Sequence, residues 1–360
     1  MAKLIALSRG IACVVIVAAV WEACARVDDY AAEGAPLLEP YNLNSLYTDD
    51  ALGIRGRPYA HYRKFRLNSL GYRGPELRPG HTRLVCVGSS ETFGSYEKEG
   101  EEYPRQLERE LNARTGALGV DVLNAAYPGV RIPTMLRRLP ELVEKVRPRI
   151  MTIYPSLTAY IYGAAPGDPV KTPAMNRFEA RIAEKIRTLM VASIPTSVQT
   201  WMKELLIARA TRHSRVRDRV PDTHVDRFRQ DLNELIDAVL AHGALPVLVT
   251  HATRFGGRVV PEERYMLVAW RKFYPTLAEE GFLDMERRLN DVIRQVALAR
   301  NLPLVDAARS MPAGERYFGD FVHFTDEGAA LLARMIAGEV APLLGTNALP
   351  VARGSEKKAE

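Results

Sequence analysis

The sequence predicts an α/β protein built on a five-stranded parallel sheet with helices on both faces. Short apolar runs alternate with longer stretches of helical period along the chain. An alternating series of this kind favours a parallel sheet that is covered on both sides. With 360 residues, of which 47% are apolar and 26% charged, the chain can bury one large core and carry an appendage.

The strands and helices are predicted in chain order from those runs and from the polar turns between them. We find no internal repeat. The predicted strands are 83–87, 120–124, 149–154, 245–250 and 302–305, and the predicted helices lie near 103–114, 133–146, 222–242, 283–300 and 326–343.

The N-terminus has the pattern of an export signal. Two basic residues precede the apolar run 11–21, which is shorter than the roughly 20 residues of an unaided membrane span but fits the core of a signal peptide. An Ala-x-Ala cleavage site ends at Ala25, so residues 1–25 are predicted to be a signal peptide or a retained signal anchor. Either places the rest of the chain in the periplasm or cell envelope, free or anchored to the inner membrane. Residues 26–80 are predicted to be a linker and N-terminal extension.

A candidate nucleophile follows the first predicted strand. The apolar run 84–87 stops at Gly88-Ser89-Ser90. A strand that ends in this way places a hydroxyl at the carboxyl edge of the sheet, where open α/β folds bind their ligands. We therefore predict that Ser90 is the nucleophile. The alternative is an ordinary turn from strand to helix with serine as its cap.

A candidate base lies more than two hundred residues downstream. Asp320 precedes His323 by three residues on a predicted loop, immediately before the last helix. A carboxylate at this spacing can fix the histidine tautomer and leave its other ring nitrogen facing a serine. The alternative is a surface or capping histidine at the start of a helix.

Together, Gly-Ser-Ser near the start and Asp-x-x-His near the end resemble blocks one and five of the SGNH/GDSL hydrolase family. The segments 66–76 and 102–108 are similar to parts of a bacterial, exported or membrane-anchored branch of that family. The resemblance implies a hydrolase domain over 81–345, with a flavodoxin-like three-layer α/β/α fold and the site at its switch point. It also implies a catalytic triad of Ser90, His323 and Asp320.

The same resemblance implies an oxyanion hole. Its donors would be the backbone N–H groups of Ser90 and of Gly129, which follows the second strand and matches block two. A plain Pro-Gly turn is the alternative at Gly129. Block three of the family normally supplies an asparagine, and here the chain has Thr158. A threonine hydroxyl can donate one hydrogen bond, so Thr158 is the third candidate donor.

The segment 163–220 is a predicted helical insertion with a strongly basic composition. Its apolar residues recur at helical spacing in two groups, which predicts two short amphipathic helices. They form either an appendage packed on the sheet, or a lid or membrane-surface cap beside the site. Residues 346–360 are predicted to be a disordered tail. The apolar residues of the two groups are Phe178, Ile182, Ile186, Leu189 and Met190, then Val198, Trp201, Met202, Leu205 and Leu206.

His251 and Arg254 follow the fourth strand at the same predicted edge, where they either contact substrate or serve a structural role. The seven histidines lack the spacing typical of metal ligands, so we expect no metal and no cofactor. Nucleic-acid binding is not expected, because no recognition motif is present.

These features favour an esterase or acyl hydrolase that acts on a small-molecule or glycan ester through Ser90, His323 and Asp320. An O-acyltransferase that modifies an envelope or exported polysaccharide would use the same triad. A weakly active or inactive binding or scaffold protein is the third interpretation, supported by the missing block-three asparagine.

Overall fold

The computed structural model describes residues 2–38, 41, 43–116, 119–162 and 196–345. Its strands are β1 (Tyr47–Asp50), β2 (Gly53–Gly56), β3 (His61–Tyr62), β4 (Phe65–Arg66), β5 (Thr82–Gly88), β6 (Val120–Asn124), β7 (Ile150–Tyr154), β8 (Leu245–Val249) and β9 (Leu304–Val305). Its α-helices are α1 (Ala2–Glu33), α2 (Ser90–Phe93), α3 (Tyr103–Thr115), α4 (Ile132–Val146), α5 (Thr196–Ala210), α6 (Asp222–Ala241), α7 (Arg264–Phe273), α8 (Glu279–Ala299), α9 (Ala307–Ser310) and α10 (Asp326–Leu344). Short 3₁₀ turns lie at Leu43–Leu46, Leu157–Tyr160 and Pro261–Glu263.

The central sheet has five parallel strands in the order β6-β5-β7-β8-β9. This is the flavodoxin-like order, so the predicted fold class is confirmed. From β5 the chain first crosses to one side, to β6, and then returns to the other side, to β7. The carboxyl ends of β5 and β7 therefore border the switch point, where such folds bind their ligands.

The sheet is buried on both faces, and most residues of its strands are apolar. Every residue of β6, β7 and β8 is buried. One face, with Met151 and Ile153, packs under α4, α6 and α8. The opposite face, with Leu84 and Cys86, packs under α3 and α10. The predicted elements of the sheet domain are thus confirmed, with their ends shifted by a few residues.

Helix α1 is longer than the apolar run from which the signal was predicted. Its window Arg9–Ala32 has a mean hydropathy of 1.9, and 6% of it is buried. Among the described residues it is the one helix long and apolar enough to cross a membrane. A signal peptide near an N-terminus has the same properties, so the helix is compatible with either form of the predicted export signal.

The region predicted as linker and extension contains folded structure. Hairpins β1–β2 and β3–β4 lie between residues 47 and 66. Phe65 packs on Phe93 at the end of α2, with their ring centroids 5.1 Å apart. The buried Arg73 side chain donates a 2.6 Å hydrogen bond to the Phe93 carbonyl oxygen. This region therefore supports the short helix that begins with Ser90.

The insertion is described only in part. The first predicted amphipathic helix lies within 163–195, outside the described residues, as does the predicted tail 346–360. The second is present as α5, which packs against α7. The predicted elements did not include α7. Ile207 of α5 is buried, whereas the five apolar side chains of the predicted second group are exposed: Val198, Trp201, Met202, Leu205 and Leu206.

Candidate active site

The turn from β5 to α2 depends on a glycine. Gly88 ends the strand, and Ser90 is the first residue of α2. A Cβ atom at Gly88 would lie 1.9 Å from Thr92 Oγ1 and 2.9 Å from the Tyr154 carbonyl oxygen. Only glycine therefore lets the helix turn this tightly against the strand. The result places Ser90 at the carboxyl edge of the sheet with a partly exposed side chain, while Ser89 is buried.

Ser90 holds its hydroxyl toward a neighbour on the same helix. Ser90 Oγ donates to Glu91 Oε2 at 3.2 Å. The backbone N–H of Ser90 lies in the first turn of α2, where N–H groups have no acceptor within the helix. That N–H is therefore suited to donate to an oxyanion, as the sequence predicts.

Asp320 and His323 form a closely fitted pair on the loop before α10. His323 Nδ1 lies 2.8 Å from Asp320 Oδ2. Asp320 Oδ1 accepts hydrogen bonds from the backbone N–H groups of Val322, at 2.9 Å, and His323, at 2.8 Å. With Nδ1 as donor to the carboxylate, Nε2 of His323 is left as the nitrogen that can accept a proton.

The surroundings of His323 favour its protonated form. Burial lowers the pKa of His323, but Asp320, followed by Glu91 and Glu97, raises it above its ordinary value. Burial raises the pKa of Asp320, and the hydrogen bond from His323 more than offsets this, so the pKa of Asp320 is lowered. The ring of Tyr96 stacks on the imidazole, with centroids 5.1 Å apart and planes 14° apart. The carboxylate thus stays ionised and the imidazole is held in place.

The structure brings the predicted nucleophile and base to one edge of the sheet. The charge of His323 is close enough to act on the carboxyl of Glu91, the residue after Ser90. Tyr96, which stacks on His323, lies shortly after α2. Within the described residues, the hydrogen bond of the Ser90 hydroxyl goes to Glu91 and not to His323.

The other two predicted oxyanion donors have protein partners. Gly129 has a φ of +77°, a conformation that favours glycine, and its N–H donates to Ser89 Oγ at 2.9 Å. Thr158 Oγ1 lies 3.2 Å from Ser156 Oγ and also bonds with the side chain of Tyr274. The Thr158 side chain is partly exposed. In this structure, therefore, an oxyanion would compete with Ser89 for the Gly129 N–H.

His251 and Arg254 both have buried side chains, and the structure supports the structural alternative for each. His251 lies between Glu91 and Glu286. Arg254 Nη2 donates to Glu263 Oε1 at 2.9 Å, and its Nη1 donates to the Phe318 carbonyl oxygen at 3.2 Å. Neither side chain is placed to contact a substrate directly.

The sequence did not predict three side chains that lie around the Asp320–His323 pair. Glu91 and Tyr96 are those described above, and Glu97 is a buried carboxyl whose pKa is raised to about 7, mainly by burial. All three lie within or just after the Gly-Ser-Ser-Glu motif. Their closeness to Ser90 in the sequence was therefore the signal that could have identified them. Among the described residues, no group of three or more His, Cys, Asp or Glu side chains is arranged to hold a metal ion.

Comparisons with known proteins give matches among solved structures only. No protein-family profile matches the chain, and no curated protein matches it significantly. A lipase/acylhydrolase from Enterococcus faecalis is 18% identical, with 73% of this chain and 96% of that chain covered and a TM-score of 0.44. A putative lipolytic protein of the G-D-S-L family from Desulfitobacterium hafniense is 11% identical, with 72% and 99% covered and a TM-score of 0.42.

An acetylxylan esterase from Geobacillus stearothermophilus is 16% identical, with 75% of this chain and 97% of that chain covered and a TM-score of 0.43. The matching structures are thus described as lipolytic enzymes and esterases. At these identities and TM-scores, nothing about the activity of this chain follows from them.

Proposed function

We propose that this protein is a serine-dependent ester hydrolase of the SGNH/GDSL kind. The observation that carries the proposal is the Asp320–His323 pair, joined at 2.8 Å and held at the sheet edge where the tight turn presents Ser90. A histidine oriented by a carboxylate beside a serine at a strand-to-helix turn is the arrangement that activates a hydroxyl for acyl transfer.

The chemistry follows from the roles of these groups. Ser90 Oγ attacks the ester carbonyl carbon while its proton passes to His323 Nε2, which gives a tetrahedral intermediate with a negative oxygen. The backbone N–H groups of Ser90 and Gly129 and the hydroxyl of Thr158 stabilise that oxygen. His323 then gives its proton to the leaving alcohol, and an acyl-Ser90 ester remains. Water, deprotonated by His323, releases the acid and restores the serine.

Substrate binding must rearrange the hydrogen bonds seen here. The Ser90 hydroxyl has to turn from Glu91 toward His323, and the oxyanion has to compete with Ser89 Oγ for the Gly129 N–H. Each change involves the rotation of a serine hydroxyl, that of Ser90 in the first case and that of Ser89 in the second. Catalytic hydrogen bonds often form only once substrate is bound, so the resting arrangement is compatible with the proposed reaction.

The first test is covalent trapping of the nucleophile. A fluorophosphonate probe reacts with an activated serine, and peptide mapping should place the adduct on Ser90 and not on Ser89. Ser90→Ala should abolish labelling and the hydrolysis of p-nitrophenyl acetate. Ser89→Ala serves as the matched control and should still be labelled. If Ser89 carries the adduct, or if neither serine is labelled, the proposed nucleophile is wrong.

The same acyl-enzyme can in principle be attacked by a sugar hydroxyl in place of water, which would make the protein an O-acyltransferase acting on an envelope or exported polysaccharide. Incubation with an activated acyl ester and candidate glycans separates the two reactions. Free acid as the sole product supports the hydrolase. Acylated glycan that forms faster than free acid supports the transferase. An unlabelled, inactive protein would support the binding or scaffold interpretation.

We also propose that the catalytic domain lies outside the cytoplasm and that α1 brings it to the membrane. Within the span Arg9–Ala32 of α1 only 6% is buried, as expected for a helix whose natural surroundings are lipid. The exposed apolar side chains of α5, together with Lys203 and Arg209 on the same helix, would suit contact with an anionic membrane surface.

A further inference from the structure

A cluster of three ionisable side chains is buried beside the Ser90 turn. Glu91 lies on α2, His251 follows β8, and Glu286 lies on α8. His251 Nε2 is 3.3 Å from Glu91 Oε1, and its Nδ1 is 2.9 Å from Glu286 Oε2. The side chains of His251, Glu91 and Glu286 are 0%, 3% and 9% exposed, respectively. Three separate elements therefore converge on the residue next to the proposed nucleophile.

The position of His251 in this cluster is fixed on several sides. Asn290, one turn beyond Glu286 on α8, accepts from the His251 backbone N–H at 2.7 Å and donates to its carbonyl oxygen at 2.9 Å. The ring of Tyr154 lies against the imidazole, with centroids 5.3 Å apart. The imidazole is thus held in one orientation, with one nitrogen toward each carboxylate.

That orientation makes His251 a cation. Carboxylates can only accept hydrogen bonds, so an imidazole that faces one on each side has to donate from both nitrogens, which requires the protonated form. Burial lowers the pKa of His251, but Glu286 and Glu91 raise it more, to about 10. Burial raises the pKa of Glu91, whereas the hydrogen bond and charge of His251 lower it, and the net shift is downward. The cluster therefore holds two negative charges and one positive charge.

Charged side chains such as these are unfavourable in a protein core. A buried net charge costs free energy, and Glu286 Oε1 is a buried atom without a hydrogen-bond partner in the described structure. Apolar residues of similar volume often stabilise a protein more than buried ion pairs do. A costly cluster beside a reactive serine is more readily explained by function than by stability.

We propose that Glu91, held in place by His251 and Glu286, is a positioning residue for the catalytic pair. Its carboxylate holds the Ser90 hydroxyl in the resting enzyme, and its negative charge stabilises His323 when that histidine takes the proton from Ser90. This role rests on the proposed function. Ser90 Oγ donates to Glu91 Oε2 at 3.2 Å. The opposite carboxylate oxygen faces His251, so the two oxygens of Glu91 serve different partners.

The charged groups that face His323 come from three places. Asp320 lies on its own loop, Glu91 comes from α2, and Glu97 comes from the segment after α2. Tyr96 covers one face of the imidazole. Proton transfer from Ser90 creates an imidazolium, and the negative charges of Asp320 and Glu91 stabilise that cation. Glu97, whose pKa is raised to about 7, adds to this when it is ionised. Glu91 differs from the other two because it also bonds the serine that gives up the proton.

The test replaces Glu91 by its uncharged isostere in the detergent-solubilised full chain. In Glu91→Gln, the kcat for p-nitrophenyl acetate should fall about tenfold, with KM changed less than about twofold, because the negative charge of Glu91 stabilises the imidazolium that forms in the transition state. Removal of a negative charge makes protonation of His323 less favourable. Its pKa should therefore fall, and the acidic limb of kcat/KM should move to lower pH by roughly half a unit.

Asp121→Asn is the matched control, since it also removes a buried carboxylate. Asp121 lies near the start of β6, at the opposite end of the sheet, where it pairs with Arg78 at 2.6 Å. This variant should lose stability and keep the wild-type kcat and pH profile.

Glu91→Asp, which retains the charge, should keep the acidic limb within about 0.2 units of wild type even if kcat falls. A folded Glu91→Gln protein with wild-type kcat and an unmoved acidic limb would show that Glu91 is only structural.

A second measurement does not depend on turnover. Titration of ¹³C-labelled histidine by NMR, with the His323 signal assigned from His323→Gln, should show a lower pKa for His323 in Glu91→Gln than in wild type. If wild type hydrolyses no ester and reacts with no fluorophosphonate, the proposed function fails, while this titration still decides whether Glu91 acts on His323. An unchanged His323 pKa would overturn the inference in an active and in an inactive protein alike.

Discussion

Two adjacent serines in the turn after β5 have different partners. Ser89 is buried and accepts the Gly129 N–H at 2.9 Å, whereas Ser90 is partly exposed and donates to Glu91. Ser89 thus holds the loop that carries one proposed oxyanion donor, and Ser90, the proposed nucleophile, is left partly exposed. The sequence predicts Ser90 as the nucleophile from the motif, and the structure adds that the two side chains differ in exposure and in hydrogen-bond partner.

At the scale of single residues, the proposed role of Thr158 can be tested by mutation. If its hydroxyl donates to the oxyanion, Thr158→Val should lower kcat by roughly ten- to a thousandfold with little change in KM, because the bond forms mainly in the transition state. Steady-state kinetics with a short-chain aryl ester measures both constants. Thr115→Val, at the end of α3, removes a hydroxyl that donates to the Leu111 carbonyl oxygen and should leave kcat unchanged. An unaltered kcat in Thr158→Val would remove Thr158 from the site.

At the scale of single elements, the tight turn between β5 and α2 sets the position of Ser90, the proposed nucleophile. Gly88 allows the close approach of Thr92, and Gly94 ends α2 with a φ of +84°. Arg73, from the region before the sheet, bonds the end of the helix. A helix of four residues has little stability of its own, so its geometry depends on these contacts.

Gly88→Ala tests that dependence. The added methyl group would meet Thr92 Oγ1 at 1.9 Å, so the turn must open, at a cost of about 1–3 kcal/mol or more in unfolding free energy. Activity should fall with it, because Ser90 moves. Gly338→Ala is the matched control: Gly338 lies on the exposed side of α10 with nothing within 4 Å of an added Cβ. That change should instead stabilise the protein by about 0.4–1 kcal/mol. Thermal unfolding measures the change in unfolding free energy of both variants. If Gly88→Ala and Gly338→Ala changed it equally, the turn would not be tightly packed.

At the scale of the whole molecule, the strand order assembles a site from distant parts of the chain. Ser90 follows β5, Gly129 follows β6, Thr158 follows β7, and the His323 loop precedes α10. Parallel strands bring all their carboxyl ends to one edge, so loops far apart in sequence meet there. The flavodoxin-like order places β5 centrally, between β6 and β7.

Export is a property of the whole chain and is predicted from α1. A phosphatase that is active only outside the cytoplasm, fused after Glu360 and expressed in a bacterial host, should be active. The matched control carries Val14→Arg and Val17→Arg, which interrupt the apolar helix, and its reporter should be inactive. Export would be contradicted if this reporter were inactive on the unaltered chain while a reporter that works only in the cytoplasm, fused at the same position, were active. That result would also remove the case for an envelope glycan as substrate.

The sequence by itself determined the fold class, because continuous apolar runs and helical periods report burial directly. Strand β6 begins and ends where the sequence predicts, and the Asp320–His323 pair was predicted from a spacing of three residues that lets a loop carboxylate reach a ring nitrogen. Local patterns of this kind need no knowledge of distant residues.

Only the tertiary structure decided which long-range partners meet. His251 was open to substrate contact by sequence, and the structure buries it between Glu91 and Glu286, which are 160 and 35 residues away along the chain. The two hairpins before the sheet were also decided by packing, since their short strands are held by contacts with α2. The physical reason is the same in both cases: the charge state of a buried group and the stability of a short element depend on neighbours that only folding brings together.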